Sequence, residues 1–451
     1  MKIIRHIAKR VLASEPIALA LGVQNLSSNK SWLLAADVLL ECWALRISDQ
    51  FEQAEWEALQ LEKLKKLLIQ AENVPFWKKS FDQLSFDPLA ITSVRQISEL
   101  PIVTRQKLQN NSADFIAANI PQWRFINATT SGSTGQPLSF YQDKRDNIRR
   151  YINNFQEQYY AGDGKDRKIM ILGLENHHDL DTLGERYSAS EIENPARRQS
   201  VFPFIESSTR TLITTASNLK RLAYIAQYER RKLHFRKILY RGEALKKEER
   251  QYLSSAFGCE LFTTYGSREC SLIGIECAEH SLHLAPWMNF VEVVDDNGRP
   301  LPDDTKGDIV ITFFENFAMP FIRYMIGDQG RISGRLCKCG RKSKTLFLAG
   351  RSPEYIHVKG LISIPLSAFT RFIDENLAGK VIRYQIISRP SSLIFRYVPR
   401  SIDEEKIDRV REYFENLVQK KLSIYTEEVS EILPDENGKV QFFKRAEVDA
   451  L

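Results

Sequence analysis

The sequence predicts an α/β protein: a large N-terminal layered α/β domain with an antiparallel insertion, followed by a small C-terminal α+β domain. Three observations lead there. The chain has 451 residues, more than one hydrophobic core usually organises. Between Phe125 and Leu348, short apolar runs alternate with amphipathic helical patterns, the order that builds a largely parallel sheet. Beyond Gly350 to Pro353 the chain starts again, with alternating strands and one long amphipathic helix.

Composition sets outer bounds. Hydrophobic residues make up 43% and charged residues 27%, which is globular and excludes a disordered or fibrous chain. The net charge of +6 is spread thinly, so nucleic acid is not expected as a partner. Six cysteines in this length make no disulfide framework and point to a reducing, cytoplasmic compartment. The longest apolar stretch, Ser31 to Leu45, is too short for a bilayer and carries Asp37 and Glu41; no transmembrane segment is expected. The opening "MKIIRHIAKRVLASEPIALAL" is interrupted by Glu15 and Pro16, unlike a signal peptide, and reads as a helix packed on the protein.

Residues 1–120 read as a helical region packed on the large domain. In "FEQAEWEALQLEKLKKLLIQAENV", Trp56, Leu59, Leu61, Leu64, Leu67 and Leu68 recur at roughly helical spacing. "VPFWKKSF" and "LPIVTRQKLQNN" follow as turn-and-helix connectors. Residues 121–350 form the core of the large domain. There "KIMILGL", "FRKILYRG" and "CELFTTYGS" are strands and "ASNLKRLAYIAQYERR" is an amphipathic helix. "VEVVDDNGRPLPDDTKGDIVITFF" holds two strands joined by Asn-Gly and Pro-Asp punctuation, hence an antiparallel pair. In residues 351–451, "VIRYQIISR" and "SLIFRYVP" are strands, "DEEKIDRVREYFENLVQKKL" is a helix, and "NGKVQFFKR" closes the domain.

One loop carries chemistry on its face. "ATTSGSTGQPLSF", Ala128 to Phe140, can turn several backbone N–H groups and hydroxyls toward one anion. It lacks G-x-x-x-x-G-K-[ST], which excludes an ordinary P-loop NTPase. Taken alone it is equally a solvated linker. Five segments follow it in order: "YRGEAL", "TTYGSREC", "FIRYMIGDQG", "AGRSPEYIHVKG" and "DENGKVQFF". This ordered set resembles the adenylate-forming superfamily of acyl-CoA synthetases and adenylation domains. Its nearest branch is similar to the phenylacetate–CoA ligases and their CapK-type capsule-biosynthesis relatives, which "VPFWKKSF" and "LPIVTRQKL" also resemble. The resemblance spans roughly Asn73 to Arg445.

The resemblance implies an ATP-dependent, Mg²⁺-dependent reaction that joins a carboxylic acid to AMP, then passes the acyl group to CoA or another acceptor. Charge gathers on the phosphoryl oxygens, so donors and a cation are needed there. Ser131, Gly132, Ser133, Thr134 and Gly135 match the phosphate loop, with Thr134 expected at the reacting phosphate. Relatives often carry a lysine after the Gly-x-Pro; here Leu138 follows Pro137. Arg241, Gly242 and Glu243 match the turn bordering adenine, and Tyr265, Gly266 and Ser267 the segment on which adenine lies. Glu269 matches the Mg²⁺ carboxylate, Asp328 the acid that accepts the ribose hydroxyls, and Arg351 a conformation-dependent nucleotide contact. Lys439 matches the lysine of a mobile C-terminal domain that reaches the reacting carboxylate and phosphate. Singly, Asp328 could be a turn residue, Glu269 surface charge and Lys439 part of a hairpin; the constellation favours the site.

Pro353 departs from that pattern. It stands at the family's hinge position, where Asp or Lys is usual, and proline fixes φ near −65°. A hinge must absorb a torsion change. Thioester formation with CoA is therefore expected to be slower than in Pro353→Asp. Equal, fast CoA-thioester formation by both proteins would remove the idea.

A second constellation is metallic. Cys277, His283, Cys337 and Cys339 suit a structural, tetrahedral Zn²⁺, with His280 as the alternative imidazole. "ENHHD" (Glu175 to Asp179) reads as a loop or part of the acyl pocket, and "FPF" (Phe202 to Phe204) as pocket wall or core. Two other classes fit parts of the pattern: a degenerate nucleotide- or acyl-AMP-binding protein of an assembly, and a zinc-stabilised interaction protein.

Overall fold

Strands that a parallel sheet buries on both faces must be apolar at nearly every position. β3 (Ile169–Leu172) and β5 (Thr211–Thr215) are buried throughout, and β6 (Lys237–Arg241) all but its last residue. The structure, a computed structural model, describes residues 49–129, 138–143, 153, 156–157, 160–161, 169–173, 185–206, 210–351, 355–356, 364–377, 380–400, 404–433 and 442–445. By internal contacts the chain divides into two units, Met1–Ala128 with Ser139–Ala349, and Thr129–Leu138 with Gly350–Leu451.

In the larger unit, β4 (Glu185–Tyr187), β3, β5, β6 and β7 (Glu260–Ser267) lie side by side and parallel. Their alternation sorts two cores. Met170, Leu172, Leu212, Ile238 and Leu261 point to one face and meet the helices Ala216–Tyr228 and Lys247–Phe257. Ile169, Ile171, Ile213, Leu239 and Phe262 point to the other. Each such side chain contributes about 1.5–3 kcal/mol on burial. Thr215 ends β5 and caps the next helix, accepting from the Asn218 N–H at 3.2 Å.

From β7 the sheet continues through β8 (Ser271–Glu276), β9 (Leu282–Leu284), β13 (Thr345–Arg351), β12 (Tyr324–Ser333), β11 (Gly307–Phe313) and β10 (Asn289–Val294). The expected β10/β11 pair is present and antiparallel. It is no isolated insertion: it ends a long antiparallel half of the same eleven-stranded sheet. Two short strands, β1 (Phe125–Thr129) and β2 (Ser139–Asp143), pair separately. The helices Gln53–Ala71 and Pro75–Leu84 precede them, and Trp56, Leu64, Leu67, Leu68 and Trp77 are buried as the periodicity predicts. Leu59 and Leu61 are partly exposed and lie off that stripe.

In the smaller unit β14 (Tyr355–Ile356) and β15 (Ile364–Pro365) pair antiparallel, and another sheet runs in the order β18 (Ser423–Glu428), β17 (Ser392–Pro399), β16 (Val381–Ser388), β19 (Phe443–Arg445). β16 and β17 are antiparallel, and the outer strands add parallel to them. Helix Glu404–Leu417 buries Ile407, Val410 and Phe414 against Leu393 and Phe395. Two elements were missing from the sequence reading. Helix Leu366–Leu377 carries an apolar stripe at four-residue spacing, Phe369, Ile373 and Leu377, which marks it as amphipathic. β18 is an edge strand in which Ile424 alone is fully buried, so it shows no clear alternation. Among the described residues, no helix is long and apolar enough to cross a membrane.

Candidate active site

Open α/β sheets bind ligands at the carboxyl ends of their strands, where the strand order reverses. Here β3 runs to β4 on one side, and the chain then returns to β5 on the other. The turns after β5, β6 and β7 all open at that end. Arg241 closes β6, and Gly242 follows at φ +87°, a conformation that favours glycine. Glu243 accepts a hydrogen bond from the Ser217 hydroxyl, 2.6 Å from each carboxylate oxygen. Arg241 pairs with the buried Glu157.

The β7–β8 hairpin carries "TTYGSREC". A side chain at Gly266 would meet the Ser271 carbonyl oxygen at 2.3 Å, so only glycine lets the two backbones approach. Ser267 Oγ accepts from the Cys270 N–H at 3.0 Å and shapes the turn. Glu269, at the turn, is folded inward and only 6% exposed. Its Oε1 accepts from the Tyr324 hydroxyl at 3.2 Å and lies 3.7 Å from Arg105 Nη1. Burial and the Glu269 charge push the Tyr324 phenol well above its ordinary value, so it remains a donor.

Asp328 reaches the same region through an irregularity. On β11, Val310 faces Met325 while Asp308 faces Gln329, so the two residues after Asp308 oppose four on β12. The resulting bulge contains Gly327 at φ +86° and displaces Asp328 from the regular ladder. The Tyr265 hydroxyl donates to Asp328 Oδ2 at 2.7 Å. Two segments more than sixty residues apart thus meet in one hydrogen bond. The structure therefore joins Tyr265 to Asp328, and Glu269 to Tyr324 and Arg105. Ser131, Gly132, Ser133, Thr134, Gly135, "ENHHD", Pro353 and Lys439 lie outside the described residues. For Arg351 only the backbone, at the end of β13, is described. Phe202 is wholly buried in the core beside the helix Ala216–Tyr228, so packing rather than a pocket wall is its role.

Sequence reading missed Arg105, Tyr324, Glu157 and Ser217. Tyr324 lies four residues before Asp328 in "RYMIGD", a usable signal. Arg105 lies in "LPIVTRQKL", whose resemblance assigned it no role, and Glu157 and Ser217 come from remote segments with no local signature.

The four residues expected as metal ligands come together. One ligand atom from each of Cys277, His283, Cys337 and Cys339 lies within 4.8 Å of the others. Cys277 Sγ is 3.8 Å from Cys337 Sγ, and Cys339 Sγ is 3.3 Å from His283 Nε2. A tetrahedron of thiolates about 2.3 Å from zinc has edges of about 3.8 Å. His283 Nδ1 lies 2.9 Å from the Ser343 carbonyl oxygen and donates to it, which leaves the Nε2 lone pair facing the thiols. Burial holds this imidazole at about 4, hence neutral. Burial pushes the Cys277 thiol up to about 12. For Cys337 burial acts in the same sense, but hydrogen bonds from Ser281 and Cys339 outweigh it and bring the thiol down. His280 is not in the cluster: it faces Glu276 and Arg250 and stacks on Phe262.

The ligand turns are braced. Thr345 pairs with His283 across β13 and β9. Arg341, two residues past Cys339, lies 4.0 Å over the Tyr160 ring and 3.4 Å from Asp49 Oδ2, while Tyr160 donates to Asp49 Oδ1 at 3.0 Å.

No protein-family model matches the chain. It is 24% identical over 331 residues to the phenylacetate–coenzyme A ligase of Thermus thermophilus, covering 68% of this chain and 73% of that one. The Escherichia coli (strain K12) phenylacetate–coenzyme A ligase is 25% identical over 336 residues, 69% of this chain and 74% of its own. Among solved structures, 2-hydroxyisobutyryl-CoA ligase in the postadenylation state superposes with a TM-score of 0.67 at 16% identity, over 88% of this chain and 91% of that one. The fold is similar to that of adenylate-forming enzymes, and the curated relatives are ligases. In sequence the chain is similar to the phenylacetate–CoA ligases.

Proposed function

We propose that this chain activates a carboxylic acid with ATP and passes the acyl group to CoA. The acid's oxygen attacks the α-phosphorus, the bond from that phosphorus to the bridging β-phosphate oxygen breaks, and pyrophosphate leaves acyl-AMP behind. The observation that carries the reading is the Tyr265–Asp328 hydrogen bond, which brings the adenine and ribose motifs together. Asp328 is the acid that accepts the ribose hydroxyls, and the bond holds the Tyr265 ring in place as a face for adenine. Ser131, Gly132, Ser133, Thr134 and Gly135 cradle the phosphates through backbone and hydroxyl donors. Arg241, Gly242 and Glu243 border the base, Gly266 and Ser267 admit it, and Arg351 makes a further nucleotide contact.

Glu269 is the carboxylate for Mg²⁺, which neutralises phosphoryl charge when bound. Lys439 meets the attacking carboxylate and the phosphate. Cys277, His283, Cys337 and Cys339 hold a structural Zn²⁺; four protein ligands leave no open coordination position. Acid-dependent exchange of pyrophosphate into ATP, run over a panel of aryl and aliphatic acids, tests the reading. Lys439→Ala is expected to slow exchange by about a hundredfold while ATP binding persists. Tight ATP binding without exchange for any acid would instead favour the degenerate, nucleotide-holding reading. Absence of ATP binding would favour the zinc-stabilised interaction protein.

A further inference from the structure

Arg105 stands at the first position of the short helix Arg105–Asn110, within the "LPIVTRQKL" connector, which by itself gives it no role. Its position is built. The Val103 N–H donates to the Arg323 carbonyl at 3.0 Å and the Met325 N–H to the Val103 carbonyl at 2.9 Å, so residue 103 is stitched beside the start of β12. Thr104 then caps the helix, accepting from the Lys107 N–H at 3.2 Å. The guanidinium is delivered to Glu269, with Nη1 3.7 Å from Oε1.

The two partners differ in freedom. The Glu269 side chain is 7% exposed and is also held by Tyr324, whereas that of Arg105 is 28% exposed. Both contacts fall on Oε1, and Oε2 takes no hydrogen bond among the described residues. A divalent cation on this carboxylate would repel the guanidinium beside it. ATP, meanwhile, brings several negative charges to a loop that has no Lys or Arg from Ala128 to Phe140.

We propose that Arg105 and the divalent cation compete for Glu269, and that Arg105 moves from Glu269 to the nucleotide's phosphate oxygens when the cation arrives. This rests on the ATP-binding reading above. It makes Arg105 a counter-charge for Glu269 in the empty site and a phosphate-binding residue in the filled one.

The test separates two affinities in the full-length protein. One is that for α,β-methylene-ATP at saturating Mn²⁺, by calorimetry. The other is the Mn²⁺ concentration that half-fills the site at saturating analogue, by electron paramagnetic resonance. Arg105→Gln is expected to weaken analogue binding about tenfold, yet to lower the half-filling Mn²⁺ concentration about fivefold. Arg105→Lys is expected to recover most of the nucleotide affinity. A merely structural Arg105, bracing its connector, would weaken both affinities together with the melting temperature. Weaker or unchanged Mn²⁺ binding in Arg105→Gln overturns the proposal, as does unchanged nucleotide affinity. Loss of analogue binding in the unaltered protein would instead bring down the ATP reading on which it stands.

Discussion

Glu269→Gln is expected to slow acid-dependent pyrophosphate exchange by about a thousandfold at saturating ATP, with the fold intact. Removing one preorganised group that answers transition-state charge costs about 2.7–4 kcal/mol, or two to three powers of ten. The substitution isolates charge from shape. Glutamine has nearly the same volume, and its amide oxygen can still accept from the Tyr324 hydroxyl that now donates to Oε1 at 3.2 Å. It cannot hold Mg²⁺ as a carboxylate does. Arg105 would lose its ion pair, a partly exposed contact worth about 1 kcal/mol or less. Thermal melting within a few degrees of the unaltered protein, alongside the lost exchange, is the expected pair of results. An exchange rate within a factor of ten would show that Glu269 holds no catalytic cation.

Cys339→Ser is expected to remove the bound metal and lower the melting temperature by about 10 °C or more. Loss of a structural metal belongs to the few changes that cost about 4 kcal/mol or more, and each kilocalorie shifts a large domain by about 2–4 °C. The loss spreads beyond the ligands. The turn holding Cys337 and Cys339 continues into Arg341, which grips Asp49 and covers the Tyr160 ring. Cys277 and His283 sit on the β8–β9 turn and on β9, so a bound metal would tie two connections that join only through short strands. Elemental analysis should give one zinc per unaltered chain and none in the variant. Identical melting and no zinc in both would leave the cluster as four side chains packed without a metal.

Much of this architecture was visible as pattern. Continuous apolar runs at 169–172 and 238–240 announced strands buried on both faces, because a parallel sheet offers no wet side. The C-x-C-G turn and a histidine after a cysteine marked the cluster, because thiol and imidazole at such spacing seldom serve packing alone. Helix Leu366–Leu377 was readable in the same manner and was missed, although its stripe of Phe369, Ile373 and Leu377 is plain. β18 was harder: with Ile424 alone fully buried, its assignment depends on the neighbour it joins, β17.

The site divides along the same line. The ordered motifs, through the resemblance they carry, were enough to propose Glu269, Asp328 and Tyr265 as site residues, and the Cys/His spacing to propose a four-residue metal site. Residue order preferred His283 but kept His280 as the alternative, because both follow Cys277 closely; the strand that aims one inward, and the acids and arginine that claim the other, come from distant segments. It could not join Arg105 to Glu269, or bend β12 so that Asp328 meets Tyr265. Those pairings join residues from 63 to 164 positions apart. Such contacts arise from sheet register and close packing, which no short window of sequence encodes.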